Sequence, residues 1–267
     1  MSTPLEKLRS QQFLLATLTI TGMAFVVANL FGQETAIVFG NWIFVLSAVP
    51  VILSAVMVKR GGIRGAHGKS WVFFLVFATL WFVADQVFTY EELYLQEKPF
   101  PSVADVFYLA GYPFYFGFVL FYLKPFRQVI SKRLVTLALL VAVFILGLNL
   151  YMTLEGNSPD ESLVAVIVGE IYPVADAIIL VPTMIGVVLF FRGLVNFLWT
   201  LLLLGFICEV IGDTLFQYLS LSNDMYTGHP IDMLFLWAYI LFSFGIYDHI
   251  KIFRTRKNSF GNREDLR

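Results

Sequence analysis

The chain has 267 residues, of which 58% are hydrophobic and only 14% are charged, and its formal net charge is -1. A soluble domain carries about 25% charged residues, so the composition excludes a soluble globular protein and predicts an integral membrane protein. The single cysteine, Cys208, excludes an intramolecular disulfide. The sequence contains no nucleophile elbow, no zinc-protease motif and no phosphate-binding glycine loop.

Eight apolar segments are long enough to cross a bilayer, which takes about 20 residues. They predict an all-α, polytopic membrane protein. We interpret the first segment as a retained span and not a signal peptide, because no cleavage-site pattern precedes it. Pro173 and Pro182 lie inside the sixth segment and predict kinks there. The predicted spans are Phe13–Phe31, Ala36–Val58, Trp71–Thr89, Val106–Leu123, Leu134–Leu154, Leu163–Phe191, Leu194–Leu219 and Met233–Ile250.

Lysine and arginine are concentrated in alternate connections and in both terminal segments, and only Lys98 falls in the other set of connections. Because basic residues are retained on the cytoplasmic side, this pattern predicts that both termini are cytoplasmic. An even number of spans agrees with that orientation. We interpret the basic loops as the insertion signal alone, and not as a nucleic-acid or lipid site. The bilayer is thus one expected partner, and no nucleic acid is expected.

The third and fourth spans resemble the seventh and eighth. We therefore predict two parallel four-helix repeats, at about 11–128 and 134–252, followed by a cytoplasmic basic tail at 253–267. The halves would be related by a pseudo-twofold axis along the membrane normal, and sites tend to lie between such halves. The matched residues are Asp85, Phe88 and Tyr90 with Asp213, Phe216 and Tyr218, Asp105 and Tyr112 with Asp232 and Tyr239, and Pro50 and Arg60 with Pro182 and Arg192.

Acidic residues inside the spans are the main candidates for function. An ionised acid near a helix centre costs about 2.5–3.5 kcal/mol, and no lysine or arginine is available at the depth of these acids. They must therefore be protonated, hydrogen-bonded, solvated in an outward-facing cavity or bound to a cation. The candidate ligand-binding residues are Asp85, Asp105, Tyr112, Glu170, Tyr172, Asp176, Glu209, Asp213, Asp232 and Tyr239.

Structural roles are the alternative for several of these acids. Asp105 and Asp232 begin helices, where a carboxylate can cap free N–H groups. Asp85 and Asp213 end helices, where a negative charge is unfavourable, so capping cannot explain them. A buried Asp–Tyr contact that locks two helices remains open as their role. Asp176 aligns with an aromatic residue of the first repeat, which favours one specific site over a symmetric pair.

Four of the acids, Asp85, Glu170, Asp176 and Asp213, are predicted to face the interior between the halves and not lipid, because four exposed charges would cost roughly 10 kcal/mol. His229 is the only histidine on the predicted outer side, and with nearby acids it is a candidate metal ligand. Solvation in a loop is the alternative for His229. The sequence does not identify a cofactor.

The stretch PFPSVADVFYLAGYP, with WFVADQVF upstream and IYPVADAIIL later in the chain, resembles the multi-helix membrane region of bacterial GGDEF-type diguanylate cyclases. This resemblance covers most of the chain. It implies a sensory module in a prokaryotic cell membrane. Only KIFRTRKNSFGNREDLR follows Ile250, so we expect a stand-alone sensory or ligand-binding protein that signals through a separate protein.

Two further hypotheses remain open. The paired motifs AlaAsp at 84–85 and GlyAsp at 212–213 are similar to those of the lysoplasmalogenase family of eight-span membrane hydrolases, which implies Asp85 and Asp213 as catalytic residues. Parallel repeats with intramembrane acids are also typical of a cation- or proton-coupled transporter. A small molecule, a lipid or a cation is the expected ligand class.

Overall fold

The computed structural model describes residues 4–96, 100–156, 163–191, 193, 195–221 and 224–264. Lys98 and Arg192, which enter the sequence predictions, lie outside the described residues. In the part of the chain that is described, every regular element is helical and no strand is present. The all-α prediction is therefore confirmed.

Nine α-helices build the described chain. Eight helical segments are long and apolar enough to cross a membrane, which confirms the predicted number of spans and makes this an integral, multi-pass membrane protein. The helices are α1 (Pro4–Leu30), α2 (Gln33–Ile43), α3 (Ala48–Gly61), α4 (Gly65–Tyr90), α5 (Val103–Leu123), α6 (Lys132–Gly156), α7 (Leu163–Phe190), α8 (Asn196–Leu221) and α9 (Met233–Glu264).

The second span is not one helix, as the sequence predicted, but two. After α2 a 3₁₀ turn runs over Phe44–Ser47, and α3 follows. Pro50 has no N–H and its ring clashes with the carbonyl four residues earlier, which destabilises regular α-helix at this point. The Ser47 hydroxyl donates to the Phe44 carbonyl oxygen (2.7 Å) within the turn. The break places both of these side chains beside the cavity described below.

Helix α7 is continuous through both Pro173 and Pro182, and the predicted kinks stay a prediction. Helix α9 continues to Glu264, so most of the predicted tail at 253–267 is helical in its backbone.

The spans form a bundle with two distinct ends. At the acidic end, defined by Asn29, Glu92 and Gly228, the Asn29 amide donates to the Gly228 carbonyl (2.8 Å). At the basic end, the His67 and His249 rings lie 5.9 Å apart. Helices α4 and α8 run from the basic end to the acidic end, and α5 and α9 return. The most extensive helix pairings are α4 with α5 and α8 with α9.

A continuous aromatic core joins these helix pairs. Its largest fully buried side chains include Trp71, Trp199, Tyr115 and Phe206. Lipid is as apolar as these rings, so their stabilisation comes from close packing and hydrogen bonding and not from removal from water. Gly111 allows a close approach of α5 to α4, since a Cβ there would lie 2.5 Å from the indole nitrogen of Trp81.

Candidate acidic cavity between the helix pairs

A cavity of about 150 Å³ lies between the α4–α5 pair and the α8–α9 pair, towards the acidic end. Aromatic rings form much of its wall. Among the described lining residues there are five carboxylic acids and no lysine or arginine. These acids are Asp85, Asp105, Glu209, Asp213 and Asp232.

Matched positions of the two halves meet in this wall. Residues that share the same spacing in the two sequence stretches line the cavity from both sides, in seven pairs. The pairs are Trp81 with Glu209, Asp85 with Asp213, Phe88 with Phe216, Thr89 with Gln217, Asp105 with Asp232, Tyr108 with Phe235, and Tyr112 with Tyr239.

Asp85, in the last two turns of α4, is buried against α5. The Tyr108 hydroxyl donates to its Oδ1 at 2.6 Å. The hydroxyl groups of Ser47 and Tyr239 also approach this carboxyl group. Their geometry nevertheless leaves Oδ2 buried without a hydrogen bond from any described residue. One oxygen of Asp85 thus locks α4 to α5, and the other is unsatisfied.

Asp176 and Asp213 form a pair of carboxyl groups on α7 and α8. The Tyr112 hydroxyl of α5 donates to Asp176 Oδ1 (2.9 Å) and lies 3.4 Å from Asp213 Oδ2. The two carboxyl groups also come within hydrogen-bonding range of each other. A hydrogen bond between two carboxyl groups needs a proton between them, so this pair can store one. Asp213 lines the cavity, whereas Asp176 lies behind Tyr112.

The two matched tyrosines reach across the interface in a reciprocal way. Tyr112, in the first half, contacts Asp213 of the second half. Tyr239, in the second half, interacts with Asp85 of the first half. In both cases, the matched tyrosine of one half interacts with the matched aspartate of the other half.

Asp105 and Asp232 have the capping role that was the alternative for them. Asp105 accepts from the Ser102 N–H (2.7 Å) in a capping box at the start of α5, and Asp232 accepts from the Gly228 N–H (2.7 Å) before α9. Asp105 has a second partner, because the Tyr172 hydroxyl of α7 donates to its other oxygen (2.7 Å). Capping therefore accounts for Asp232 and for only part of Asp105.

Glu209 lies one turn before Asp213 on α8. It is buried, and it is within electrostatic range of Asp85, Asp176 and Asp213. Its Oε1 atom accepts no hydrogen bond from the described residues. Glu170 is half-buried and does not belong to the cavity wall, although the neighbouring Gly169 does. Of the four acids predicted to face the interior, three lie on or directly behind the wall.

His229, the candidate metal ligand, sits outside the cavity wall. Its Nδ1 atom accepts from the Ile231 N–H (3.3 Å), so the imidazole caps the turn before α9. Partial burial lowers the pKa of His229, and the charge of Asp224 opposes that shift. No group of three His, Cys, Asp or Glu side chains in the described ranges is arranged to hold a metal ion.

Several wall residues were not predicted from the sequence. Tyr108 follows Asp105 by three positions and precedes Tyr112 by four, so helical spacing could have placed it on the same face of α5. Phe44 and Trp81 carried no such signal, because an apolar aromatic in a span is equally consistent with lipid contact. Their position follows from the break before α3 and from Gly111.

No protein-family model matches the chain, and neither a curated protein nor a solved structure is significantly similar to it. The geometry of the cavity offers unsatisfied carboxyl oxygens beside aromatic rings in a space large enough for a small molecule. The three histidines lie elsewhere: His67 and His249 at the basic end and His229 outside the wall.

Proposed function

We propose that this protein is a membrane sensory or ligand-binding protein whose small ligand occupies the cavity between the helix pairs. The observation that carries the proposal is the pair of buried carboxyl oxygens, Oδ2 of Asp85 and Oε1 of Glu209, that no described residue satisfies. Leaving a buried polar group unsatisfied costs about 1–3 kcal/mol, and more if the group is charged. A ligand with hydrogen-bond donors recovers that energy when it binds.

A purely structural role for the acids explains less of the geometry. Helix locking needs one donor–acceptor contact, and Tyr108 already supplies it to Asp85. Locking gives no reason for a second, unsatisfied oxygen or for Glu209, which has like charges as its electrostatic neighbours. Binding accounts for both.

The seven matched pairs in the wall support a duplicated four-helix unit with the site on its pseudo-twofold axis. The distribution of lysine and arginine supports an orientation with the acidic end outside the cell. In that orientation the ligand enters from the outer side, as in a receptor for an external small molecule. A bound ligand would contact α4, α5, α8 and α9 together, and so change how the two helix pairs pack.

Filling the cavity tests this function without a prior choice of ligand. Purified full-length protein is screened by thermal shift against cationic, neutral and anionic small molecules. Gly169→Leu places a side chain into the cavity wall, where the nearest neighbour is the flexible Gln217 amide at 3.0 Å from an added Cβ. Gly147→Leu is the matched control, because nothing lies within 4 Å of a Cβ there. We expect Gly169→Leu to abolish ligand shifts that Gly147→Leu retains. Equal shifts in both variants would contradict binding in this cavity.

A lipid hydrolase is the second candidate, since Asp85 and Asp213 line the same cavity. In that case, incubation with a lysoplasmalogen releases an aldehyde, and Asp85→Asn and Asp213→Asn stop the release. Binding without aldehyde release favours the sensory function.

A further inference from the structure

We infer that the ligand of this cavity is an organic ammonium group, as found in a free amine or in the headgroup of a lipid. This inference rests on the proposed function, and it names the chemical class that the wall selects. Three features lead to it: the unsatisfied acids, the aromatic rings beside them and the size of the space.

The first feature is a set of buried carboxyl groups without a basic counterpart. Asp85 and Glu209 are each more than nine-tenths buried and line the cavity, and each has one oxygen without a hydrogen bond from a described residue. Asp213 lines the same space. No described lysine or arginine lines it with them. A ligand that brings positive charge and N–H or polarised C–H groups complements this set, whereas an anion would be repelled.

The second feature is an aromatic cage next to the acids. Trp81 packs against Tyr112 (5.8 Å between ring centroids) and Tyr239 (6.1 Å), and its indole N–H donates to the Tyr108 carbonyl (3.0 Å). The hydrogen bond fixes the orientation of the indole. Aromatic faces attract organic cations, and tryptophan attracts them most strongly.

The third feature is a difference between the two halves at one pair of matched positions. Trp81 of the first half and Glu209 of the second occupy matched positions and face one space. A symmetric site would have two tryptophans or two glutamates here. The observed pair places a ring and an acid at matched positions beside one space, an arrangement that suits an ammonium group with apolar substituents.

The size of the space and its ligand atoms argue for an organic cation over a metal. A cavity of about 150 Å³ suits a molecule of benzene size. Calcium needs six to eight oxygen ligands at 2.3–2.6 Å, and magnesium needs a close octahedron. No group of three metal-ligating side chains is found in the described part of the chain.

The test uses full-length protein in detergent and isothermal titration calorimetry. The probes are choline, 2-phenylethylamine and 3,3-dimethylbutan-1-ol, which has the shape of choline but no charge. We expect choline or 2-phenylethylamine to bind at least about tenfold more tightly than the neutral isostere.

Vesicles or nanodiscs of phosphatidylcholine and of phosphatidylglycerol then distinguish a lipid headgroup from a free amine as the source of the ammonium group. Competition by the phosphatidylcholine headgroup indicates a lipid ligand, and its absence indicates a free amine.

Charge-removing variants locate the site. Asp85→Asn and Glu209→Gln keep the shape of each side chain, and Glu34→Gln is the control at an exposed acid of α2. We expect the first two to reduce the preference for choline over its isostere about tenfold, and the control to leave it unchanged. This ratio is measured within one protein sample, so a loss of folded protein does not change it.

The aromatic wall is tested in the same way. We expect Trp81→Phe to lower the affinity for choline and Trp81→Leu to lower it further, because the attraction of the ring face weakens along that series. Tyr94→Leu, at an exposed tyrosine, is the control. The ammonium inference would be overturned if the neutral isostere or an anion bound preferentially and Gly169→Leu abolished that binding. The proposed function would then still stand. No binding from any class would overturn both.

Discussion

The α4–α5 side and the α8–α9 side of the cavity have matched residues at several positions and differ in chemistry at others. Asp85 and Asp213 occupy matched positions, as do Tyr112 and Tyr239, and each tyrosine reaches the aspartate of the opposite half. One turn before these aspartates, the first half has Trp81 and the second has Glu209.

The same contrast recurs at two other places. Phe44 lines the cavity and matches Asp176 by sequence spacing, and Tyr108 carries a hydroxyl that the matched Phe235 lacks. The extra hydroxyl in the first half donates to one oxygen of Asp85, whereas in the second half Asp176 is the neighbour of Asp213. Compared with the α8–α9 side, the α4–α5 side therefore has one more ring, Trp81, and one more tyrosine hydroxyl, Tyr108, whereas the α8–α9 side has one more acid in the wall, Glu209.

Replacing Trp81 by glutamate, the residue at the matched position of the second half, should have the largest effect on stability. In Trp81→Glu the core loses an indole, which by itself costs about 3–5 kcal/mol, and gains a third acid beside Asp85 and Glu209. We expect the free energy of unfolding to fall by more than about 5 kcal/mol, so that little folded protein is recovered. Size-exclusion profiles and thermal melts in detergent measure this. The comparison variant Trp81→Phe keeps a ring and should stay folded.

The reciprocal tyrosines give the next effect. Tyr112→Phe removes the donor of Asp176 and the near neighbour of Asp213, so we expect a loss of about 1–3 kcal/mol. Tyr239→Phe leaves Asp85 with the Tyr108 hydroxyl, and it should cost about 1 kcal/mol or less. The unfolding free energies of the two variants, measured under identical detergent conditions, decide the matter. Equal losses would mean that the two halves satisfy their acids in the same way.

Much of the fold could be predicted from the sequence, because a bilayer leaves few alternatives to apolar helices. Eight segments of sufficient length gave the right number of spans. The break in the second span was missed, although Pro50 was identified as part of the repeat. An apolar window averages over a 3₁₀ turn such as Phe44–Ser47, whose residues are as hydrophobic as those of a helix.

The site was predictable where charge revealed it. Asp85, Asp213 and Glu209 stood out because an acid in a span is costly, and all three line the cavity. Trp81 and Phe44 could not be identified, since a ring in contact with lipid and a ring in a cavity have the same sequence signature. The distinction depends on how closely α4 and α5 approach, and Gly111 is one of the residues that allow that approach.

The smallest expected difference in stability between the halves concerns the caps of α5 and α9. This difference depends on pH, because a loop histidine forms one of the two caps. Ser102 caps α5 with its hydroxyl, so Ser102→Ala should cost about 1 kcal/mol at every pH. His229 caps the turn before α9 through Nδ1, which can accept a hydrogen bond only when it is unprotonated. The two caps therefore respond differently to acid.

The sign of that response follows from the lowered pKa of His229. The unfolded chain binds a proton near the ordinary histidine pKa of about 6.5, whereas the folded protein binds it only at lower pH. The contribution of His229 is fully present above that value and is lost as pH falls through the lowered pKa. The effect is small, because the side chain is only partly buried and solvent screens it. Melts of wild type and His229→Gln between pH 7.5 and 5 isolate it, since all other titrating groups are common to both. We expect the melting temperature of wild type to fall more steeply with acid than that of His229→Gln, and parallel curves would show that the imidazole does not act as a cap.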